Sequence, residues 1–284
     1  MSLIELRNVN YKYPFTKTYA LRNVNCSIEQ GKFYGIIGEN GGGKTTLSNL
    51  IRGLIPHFYE GELEGDVIID GTDVRKWDTG ILSTRIGYVF QNPFTQISGI
   101  KETVFEEIAM GLENLGMDKE KIIKETLRVM ELLDINDLMT KNPNEISGGQ
   151  RQRVAFASIL AMDSSIMVID EPTSQLDPQG TQDVFDIIKM LKDSGKTIIL
   201  VEHKIDLIAE YCDEVIVMHQ GTIARMGETH QVLSDPTIEE LGVDMPQVAR
   251  FGHAMKAAGK PLEYIPITLN EAECLLKKRA GGLQ

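Results

Sequence analysis

At 284 residues the chain is long enough for one large domain with an appendage, or for two domains. Its 41 acidic residues outnumber 29 basic ones, and the net charge of −12 argues against a nucleic-acid-binding surface, which would need a basic stripe. Three scattered cysteines without a C-x-x-C pair indicate neither a disulfide framework nor a zinc site. A charged N-terminus and the absence of any apolar run near the roughly 18 residues of a membrane span predict a soluble cytoplasmic protein.

The first strands are predicted at residues 3–13 and 21–28, where apolar and polar side chains alternate. Tyr11 and Tyr13 lie near the end of the first strand, where an aromatic side chain would be able to stack on an adenine ring, because any base offers a π-face. Packing of this ring within the sheet is the ordinary alternative. A hairpin is predicted over residues 67–74 around Gly71, so the first third of the chain contains antiparallel strands.

A phosphate-binding loop is predicted at Gly38–Thr46, which matches G-x-x-x-x-G-K-[ST] between an apolar strand and an apolar helical stripe. In that setting backbone N–H groups and a helix N-terminus surround a polyphosphate, and glycines keep Cβ atoms out of the way. We expect Lys44 to reach the β- and γ-phosphates, Thr45 to bind Mg²⁺ and Thr46 to cap a further phosphate oxygen. The remaining loop residues are Asn40, Gly41, Gly42 and Gly43. A glycine-rich turn before an ordinary helix is the alternative.

The middle of the chain is predicted to be helical. A strand over residues 85–90 ends at Gln91, at the edge where α/β sheets bind ligands. Two apolar helical stripes follow, and no strand is predicted before residue 166, so residues 94–165 are expected to form a helical insertion.

A second helix start lies at Ser147-Gly148-Gly149-Gln150, where the serine and glutamine fit a capping box. An ordinary helix start would explain the cap. However, two glycines in the first turn weaken a helix by about 1 kcal/mol each relative to alanine. They are explicable if a ligand must approach this N-terminus closely, and bare N–H groups there suit an anion.

Two carboxylates, Asp170 and Glu171, follow the apolar residues 166–169, which predict a buried strand. Asp170 is placed to hold Mg²⁺ through water, and Glu171 to orient or deprotonate a water near a γ-phosphate. A solvated strand end is the alternative. Further along, Asp177 and Pro178 are the N-cap and first residue of a helix.

The last predicted strand of the sheet's ligand edge, residues 197–201, is followed by His203, which is either a structural histidine or a ligand-facing one. A hairpin around Gly221 closes the sheet. After Gly227 the chain is expected to form short helices, the last of them capped by Thr268 and Glu271. Two apolar stripes in this tail either cover the chain's own surface or contact the same segment of a second subunit; they are Val248, Phe251 and Met255, and Leu269, Ala272, Leu275 and Leu276.

In chain order these motifs resemble the ATP-binding cassette (ABC) ATPases over nearly all of residues 3–227. The resemblance implies an α/β P-loop NTPase fold with a mixed sheet core, an antiparallel β subdomain, an inserted helical subdomain at about 94–165 and a C-terminal helical tail at 228–284. It also implies ATP and Mg²⁺ as cofactors and ATP hydrolysis as the reaction. It assigns Glu171, His203, Gln91 and Lys44 to catalysis, Thr45, Gln91 and Asp170 to the metal, and Tyr13, the phosphate loop, Ser147–Gln150 and Asp177 to the nucleotide.

A narrower resemblance, in residues 89–93, 104–116 and 239–250, is to the ATPase subunits of energy-coupling factor (ECF) importers. In that family two cassettes pair head to tail, each ATP lying between one subunit's phosphate loop and the other's Ser-Gly-Gly-Gln motif. They drive a transmembrane coupling protein, which holds a membrane-embedded binding protein for a vitamin or a transition-metal ion. The resemblance therefore implies an identical or paralogous partner ATPase and a peripheral position at the cytoplasmic face of the membrane.

Three acidic residues near the start of the first inserted helix, Glu102, Glu106 and Glu107, have two explanations. They either stabilise the helix N-terminus or, as the resemblance suggests, receive a basic residue of the coupling protein. Two rival functions also stay open: an ATPase subunit of another ABC transporter type, or a soluble ABC ATPase that acts on nucleic acid or ribosomes. The single cassette and the net acidity argue against the second.

Overall fold

The structure, a computed structural model, describes residues 2–91, 93–174 and 176–281, so Asn92 and Gln175 lie outside the described residues. The chain divides into two compact units, residues 1–74 with 201–284 and residues 75–200. The predicted boundary at residue 227 stays a prediction.

The chain contains runs of strands and runs of helices. The strands are β1 (Ser2–Lys12), β2 (Leu21–Glu29), β3 (Phe33–Gly38), β4 (Glu62–Ile69), β5 (Thr72–Asp73), β6 (Ile86–Val89), β7 (Ile166–Asp170), β8 (Thr197–Val201), β9 (Glu214–His219) and β10 (Thr222–Glu228). The α-helices are α1 (Lys44–Ile51), α2 (Leu54–His57), α3 (Thr79–Arg85), α4 (Pro93–Gln96), α5 (Val104–Asn114), α6 (Lys119–Leu132), α7 (Gly148–Ala161), α8 (Pro178–Asp193), α9 (Ile205–Tyr211), α10 (Thr229–Leu233), α11 (Gln247–Ala257) and α12 (Leu269–Gly281).

The first unit contains an antiparallel sheet with the strand order β2-β1-β4-β5. The β4–β5 turn uses Asp70 and Gly71, at φ 48° and 73°. Two consecutive positive φ values are what a two-residue hairpin turn requires, because its twist then matches that of the strands. The strands predicted at 3–13 and 21–28 and the hairpin at 67–74 are confirmed.

The same unit contains the strand order β10-β9-β3. β3 runs parallel to β9, and its residues Phe33–Ile37 are all buried, as expected for a strand covered on both faces. β9 and β10 form the predicted hairpin, turning through Gln220 and Gly221 at φ 48° and 79°. β3 thereby delivers the phosphate-loop sequence at its C-terminal end.

The β9–β10 turn braces the phosphate loop. The Gly221 N–H donates to the Gly42 carbonyl at 2.9 Å, while the Arg22 N–H donates to the Gly221 carbonyl at 2.7 Å. The closest approach is at Gly38, where a Cβ would lie 2.1 Å from the Met218 carbonyl oxygen. Only a residue without a side chain fits this position, so the loop shape depends on a glycine pressed against β9.

The second unit contains the strand order β8-β7-β6, with β6 and β7 parallel. Between β6 and β7 the described residues form helices α4–α7 and a 3₁₀ turn at Asn136–Leu138, which confirms the helical character predicted for residues 94–165. Helix α3 was not predicted; it begins at Asp78, whose carboxylate accepts the Ile81 N–H at 3.0 Å.

Two of the three acidic residues near α5 serve the fold. Glu106 and Thr103 form a reciprocal capping box at the start of the helix. Glu107 is only 3% exposed and accepts hydrogen bonds from the Ser98 N–H at 2.6 Å and the Ser98 hydroxyl at 2.7 Å. Stabilisation of the helix N-terminus therefore holds for Glu106, whereas Glu107 is buried against Ser98 and is not available to a partner protein.

The C-terminal tail buries its two predicted apolar stripes only in part. Helix α11 buries Ala249 and Gly252. Gly252 packs so closely on Pro266 that a Cβ at this position would lie 2.9 Å from the proline ring. In α12, which begins with the predicted Thr268–Glu271 capping box, Ala272 and Leu275 are buried. Of the residues in the predicted stripes, Phe251, Leu269 and Leu276 are exposed.

Among residues 2–91, 93–174 and 176–281, no helix combines the length and the apolar composition needed to cross a membrane.

The contact between Gly38 and Met218 predicts a large stability loss for Gly38→Ala. A Cβ at 2.1 Å from a backbone oxygen forces the loop or β9 to shift, and overpacking of this kind costs about 1–3 kcal/mol. Gly148→Ala is the matched control, because a Cβ there meets no heavy atom within 4 Å and alanine favours a helix. Thermal unfolding should show a clear fall in Tm for the first variant only; equal melting temperatures would contradict the packing described.

Candidate functional site

The phosphate loop in the first unit leads into the uncapped N-terminus of helix α1, which can bind an anion. Helix α1 begins after Gly43 at φ 107°, and no side chain caps it. Uncapped first-turn N–H groups and the helix dipole both favour negative charge at that point. Gly38 and Gly41, at φ 144° and 78°, adopt conformations that side chains other than glycine rarely tolerate. The predicted loop geometry is therefore present.

Lys44 lies across its own loop. Its Nζ donates to the Gly38 carbonyl at 2.9 Å and to the Glu39 carbonyl at 3.1 Å, and the residue is buried. These bonds hold a positive charge beside the loop N–H groups, where a polyphosphate would add a stronger acceptor. Thr45 is exposed at the helix start, while Thr46 is buried.

Tyr13 belongs to an aromatic cluster next to the loop. Its ring centroid is 4.8 Å from that of Tyr11 and 6.0 Å from that of Tyr59, both edge-on. Its hydroxyl lies 3.3 Å from the Thr46 hydroxyl. Tyr11 is fully buried, and burial, followed by the neighbouring Tyr13 and Tyr59, raises its pKa to about 12. Tyr13 thus packs on aromatic neighbours and also borders the phosphate loop.

His203 belongs to the first unit, two residues after the end of β8, and its backbone N–H is fixed by a hydrogen bond. The Glu202 carboxylate accepts the His203 N–H at 2.8 Å and the Lys204 N–H at 3.2 Å. Glu202 is 3% exposed, whereas the His203 side chain is exposed. This role of Glu202 was not predicted; the signal in the sequence is a carboxylate placed directly after four consecutive apolar residues.

In the second unit, polar side chains at the ends of β6 and β7 pair across the two strands. Tyr88 donates its hydroxyl to Asp170 Oδ2 at 2.9 Å. Gln91 donates its Nε2 to Glu171 Oε2 at 2.7 Å. Three of the predicted site residues, Gln91, Asp170 and Glu171, are therefore brought together at one edge of the sheet.

The backbone at Glu171 is strained. Its φ of 44° lies in the left-handed region, which non-glycine residues occupy at a cost of order 1–3 kcal/mol. Such conformations persist where surrounding contacts enforce them, and they cluster at functional sites. The Gln91 bond on one side and the buried Gln152, whose Nε2 donates to the Pro172 carbonyl at 3.4 Å on the other, supply that enforcement.

The Ser147–Gln150 motif opens helix α7 as predicted. The Gln150 N–H donates to Ser147 Oγ at 3.3 Å, and the Ser147 N–H donates to Gln150 Oε1 at 3.0 Å. A Cβ on Gly148 or Gly149 would meet no heavy atom of the described chain within 4 Å. Packing within the chain therefore does not require these glycines, and the space beside them is open to a ligand. Asp177 caps α8 by accepting the Gly180 N–H at 2.7 Å.

The residues assigned to Mg²⁺ offer the right donors. Asp170 supplies a carboxylate, Gln91 an amide oxygen whose nitrogen is already donating to Glu171, and Thr45 a hydroxyl. All are hard oxygen ligands, the kind that Mg²⁺ prefers, and Mg²⁺ completes its shell with water and phosphate oxygens. The described residues contain no cluster of three or more His, Cys, Asp or Glu side chains arranged for a metal.

Comparison with known proteins identifies the family of this chain. The profile of the ABC transporter family matches residues 21–174. The energy-coupling factor transporter ATP-binding protein EcfA2 of Caldanaerobacter subterraneus is 37% identical over 279 residues, covering 95% of each chain.

Two solved structures agree with that match. The cbiO1 protein of Clostridium perfringens, part of the ABC transporter complex cbiONQ, has a TM-score of 0.74 at 29% identity, over 90% of this chain and 99% of that one. A dimeric ATP-binding cassette in a post-hydrolysis state with ADP and phosphate has a TM-score of 0.67 at 30% identity, over 80% and 98%. The chain therefore belongs to the ATP-binding ATPases of ABC transporters, and its nearly full-length relatives include an ATP-binding subunit of energy-coupling factor transporters.

Proposed function

We propose that the chain is the ATP-hydrolysing subunit of an ECF-type importer, acting at the cytoplasmic face of the membrane. The observation that carries the proposal is similarity to an EcfA subunit over 95% of the chain, which extends through the C-terminal tail and beyond the cassette motifs. In this role it powers uptake of a vitamin or a transition-metal ion through a transmembrane coupling protein that holds a membrane-embedded substrate-binding protein.

The first unit is assigned the binding of the nucleotide. Loop N–H groups and Lys44 hold the β- and γ-phosphates, and Thr46 caps a further phosphate oxygen. Tyr13 stacks on the adenine, a role that its position beside Thr46 supports. His203 contacts the γ-phosphate from a backbone that Glu202 holds in place. Mg²⁺, when bound through Thr45, Gln91 and Asp170, supplies charge neutralisation at the phosphate oxygens.

Glu171 is assigned the role of general base. It orients the attacking water and accepts its proton as the water displaces ADP from the γ-phosphorus in line. In the structure its Oε2 accepts a hydrogen bond from Gln91 Nε2. That bond orients the carboxylate, and its remaining lone pairs can accept a proton from water. Gln91 accordingly connects the metal and the base.

The Ser147–Gln150 motif and Asp177 are assigned to the nucleotide of a partner cassette, in a head-to-tail pair. The open space at Gly148 and Gly149 supports this role, since the chain itself does not fill it. A contact between tails, through the exposed Leu269 and Leu276, would hold the pair together between turnovers. The partner cassette is either a second copy of this chain or a paralogue, and sequencing of the co-purified subunit distinguishes the two.

Glu171→Gln tests the assignment of the base. The amide keeps the size of the side chain and its contact with Gln91, but it cannot take a proton from water. Turnover should fall about 10²–10⁴-fold while ATP affinity is retained, as loss of a general base predicts. Steady-state ATPase rates and equilibrium ATP binding measure the two effects. A turnover loss below about tenfold combined with a collapse of Mg²⁺·ATP binding would show that Asp170 and Glu171 have exchanged roles.

Co-purification tests the transport role against a soluble ABC ATPase. Because Glu107 is buried and Glu106 caps α5, the free surface near that helix is formed by Ile100, 77% exposed, and the exposed Glu102. Ile100→Ser with Glu102→Lys should weaken association with the membrane subunits and leave ATPase activity of the isolated chain nearly unchanged. Leu127→Ser, at an exposed position of α6, is the control. Absence of any hydrophobic membrane protein in the wild-type complex would favour the soluble alternative.

A further inference from the structure

Tyr88 occupies a position that the reaction scheme above does not use. It lies on β6, where its register partner on the parallel strand β7 is Val168. Asp170 is two residues beyond Val168, so both project from the same face of the sheet. The register itself thus brings the half-buried Tyr88 ring alongside Asp170, and the Tyr88 hydroxyl donates to Asp170 Oδ2 at 2.9 Å.

The Tyr88 ring lies near Asp170 and is also held in place by a second aromatic ring. Phe90, two residues on and therefore on the same face, packs against it edge-on with ring centroids 4.7 Å apart. A phenol hydroxyl that donates to one carboxylate oxygen limits rotation of the carboxylate and leaves the other oxygen for a second interaction. Partners of this kind, which touch a metal ligand and not the metal, orient the ligand and tune its affinity.

We propose that Tyr88 is a positioning residue for the magnesium of the nucleotide complex. It holds the Asp170 carboxylate in one rotamer, so that a single oxygen is presented to Mg²⁺ or to a water in its shell. The proposal rests on the assignment of Asp170 as the metal-binding carboxylate. A purely structural alternative exists, in which the Tyr88 hydroxyl only ties β6 to β7.

Tyr88→Phe distinguishes the metal-positioning role from the structural one, because it deletes the hydroxyl and keeps the ring that packs on Phe90. The measurement is Mn²⁺ binding to the ADP complex, followed by electron paramagnetic resonance, together with ADP affinity in EDTA. Loss of an outer-shell partner typically weakens metal binding by about 10–100-fold, and we expect the lower end of that range. ADP affinity without metal should not change. Tyr264→Phe, which removes an exposed hydroxyl far from β7 in sequence, is the control.

Each other outcome has a distinct meaning. Unchanged Mn²⁺ affinity in Tyr88→Phe, with or without a lower Tm, would overturn the proposal and leave the hydroxyl a structural tie. Asp170→Asn, measured in parallel, tests the assignment of Asp170 as the metal-binding carboxylate. If Asp170→Asn also leaves Mn²⁺ affinity unchanged, the metal-site assignment fails; if it lowers that affinity while Tyr88→Phe does not, only the inference about Tyr88 fails.

Discussion

The shape of the phosphate loop depends on the contact between Gly38 and the carbonyl oxygen of Met218, where a Cβ would come within 2.1 Å. β3 can end against β9 only because position 38 lacks a side chain. The turn after β9 then holds the loop through the Gly221–Gly42 hydrogen bond. The tail adds a third support, since Gly242 packs so closely against Glu39 of the loop that a methyl group on Gly242 would lie 3.2 Å from the Glu39 Cβ. Segments far apart in sequence thus fix the backbone that is assigned to the phosphates.

In the second unit, contacts between neighbouring elements likewise position the groups assigned to catalysis. The parallel register of β6 and β7 sets Tyr88 and Gln91 beside Asp170 and Glu171. The left-handed backbone at Glu171 is retained because contacts on both sides enforce it. Gln152, in the second turn of the helix that Ser147 caps, reaches the Pro172 carbonyl directly after Glu171. The open glycine motif and Glu171 therefore belong to one unit, in which Gln152 connects helix α7 to the residue after Glu171.

The sequence predicted the features that local chemistry decides. Turns needing two positive φ values stand at Asp70-Gly71 and Gln220-Gly221, and both capping boxes, at Ser147 and Thr268, formed as expected. It did not predict features that depend on a distant partner. Glu107 was considered for a docking surface because its bond to Ser98 is invisible in the helical pattern. The buried face of α11 was misjudged for a similar reason: Gly252 gains its packing from Pro266, and periodicity alone favoured the larger side chains nearby.

In the proposed head-to-tail pair, each nucleotide uses the phosphate loop of one subunit and the Ser147–Gln150 motif of the other. Mixing two inactive variants tests this arrangement. A Lys44→Ala chain lacks a competent loop, and a Gly148→Asp chain places a negative charge where the partner's phosphate should approach. Each should be inactive alone, yet a mixture contains pairs with one intact composite site, so ATPase activity should reappear on mixing. If activity stays absent in mixtures shown by light scattering to contain dimers, the two subunits do not share a composite site.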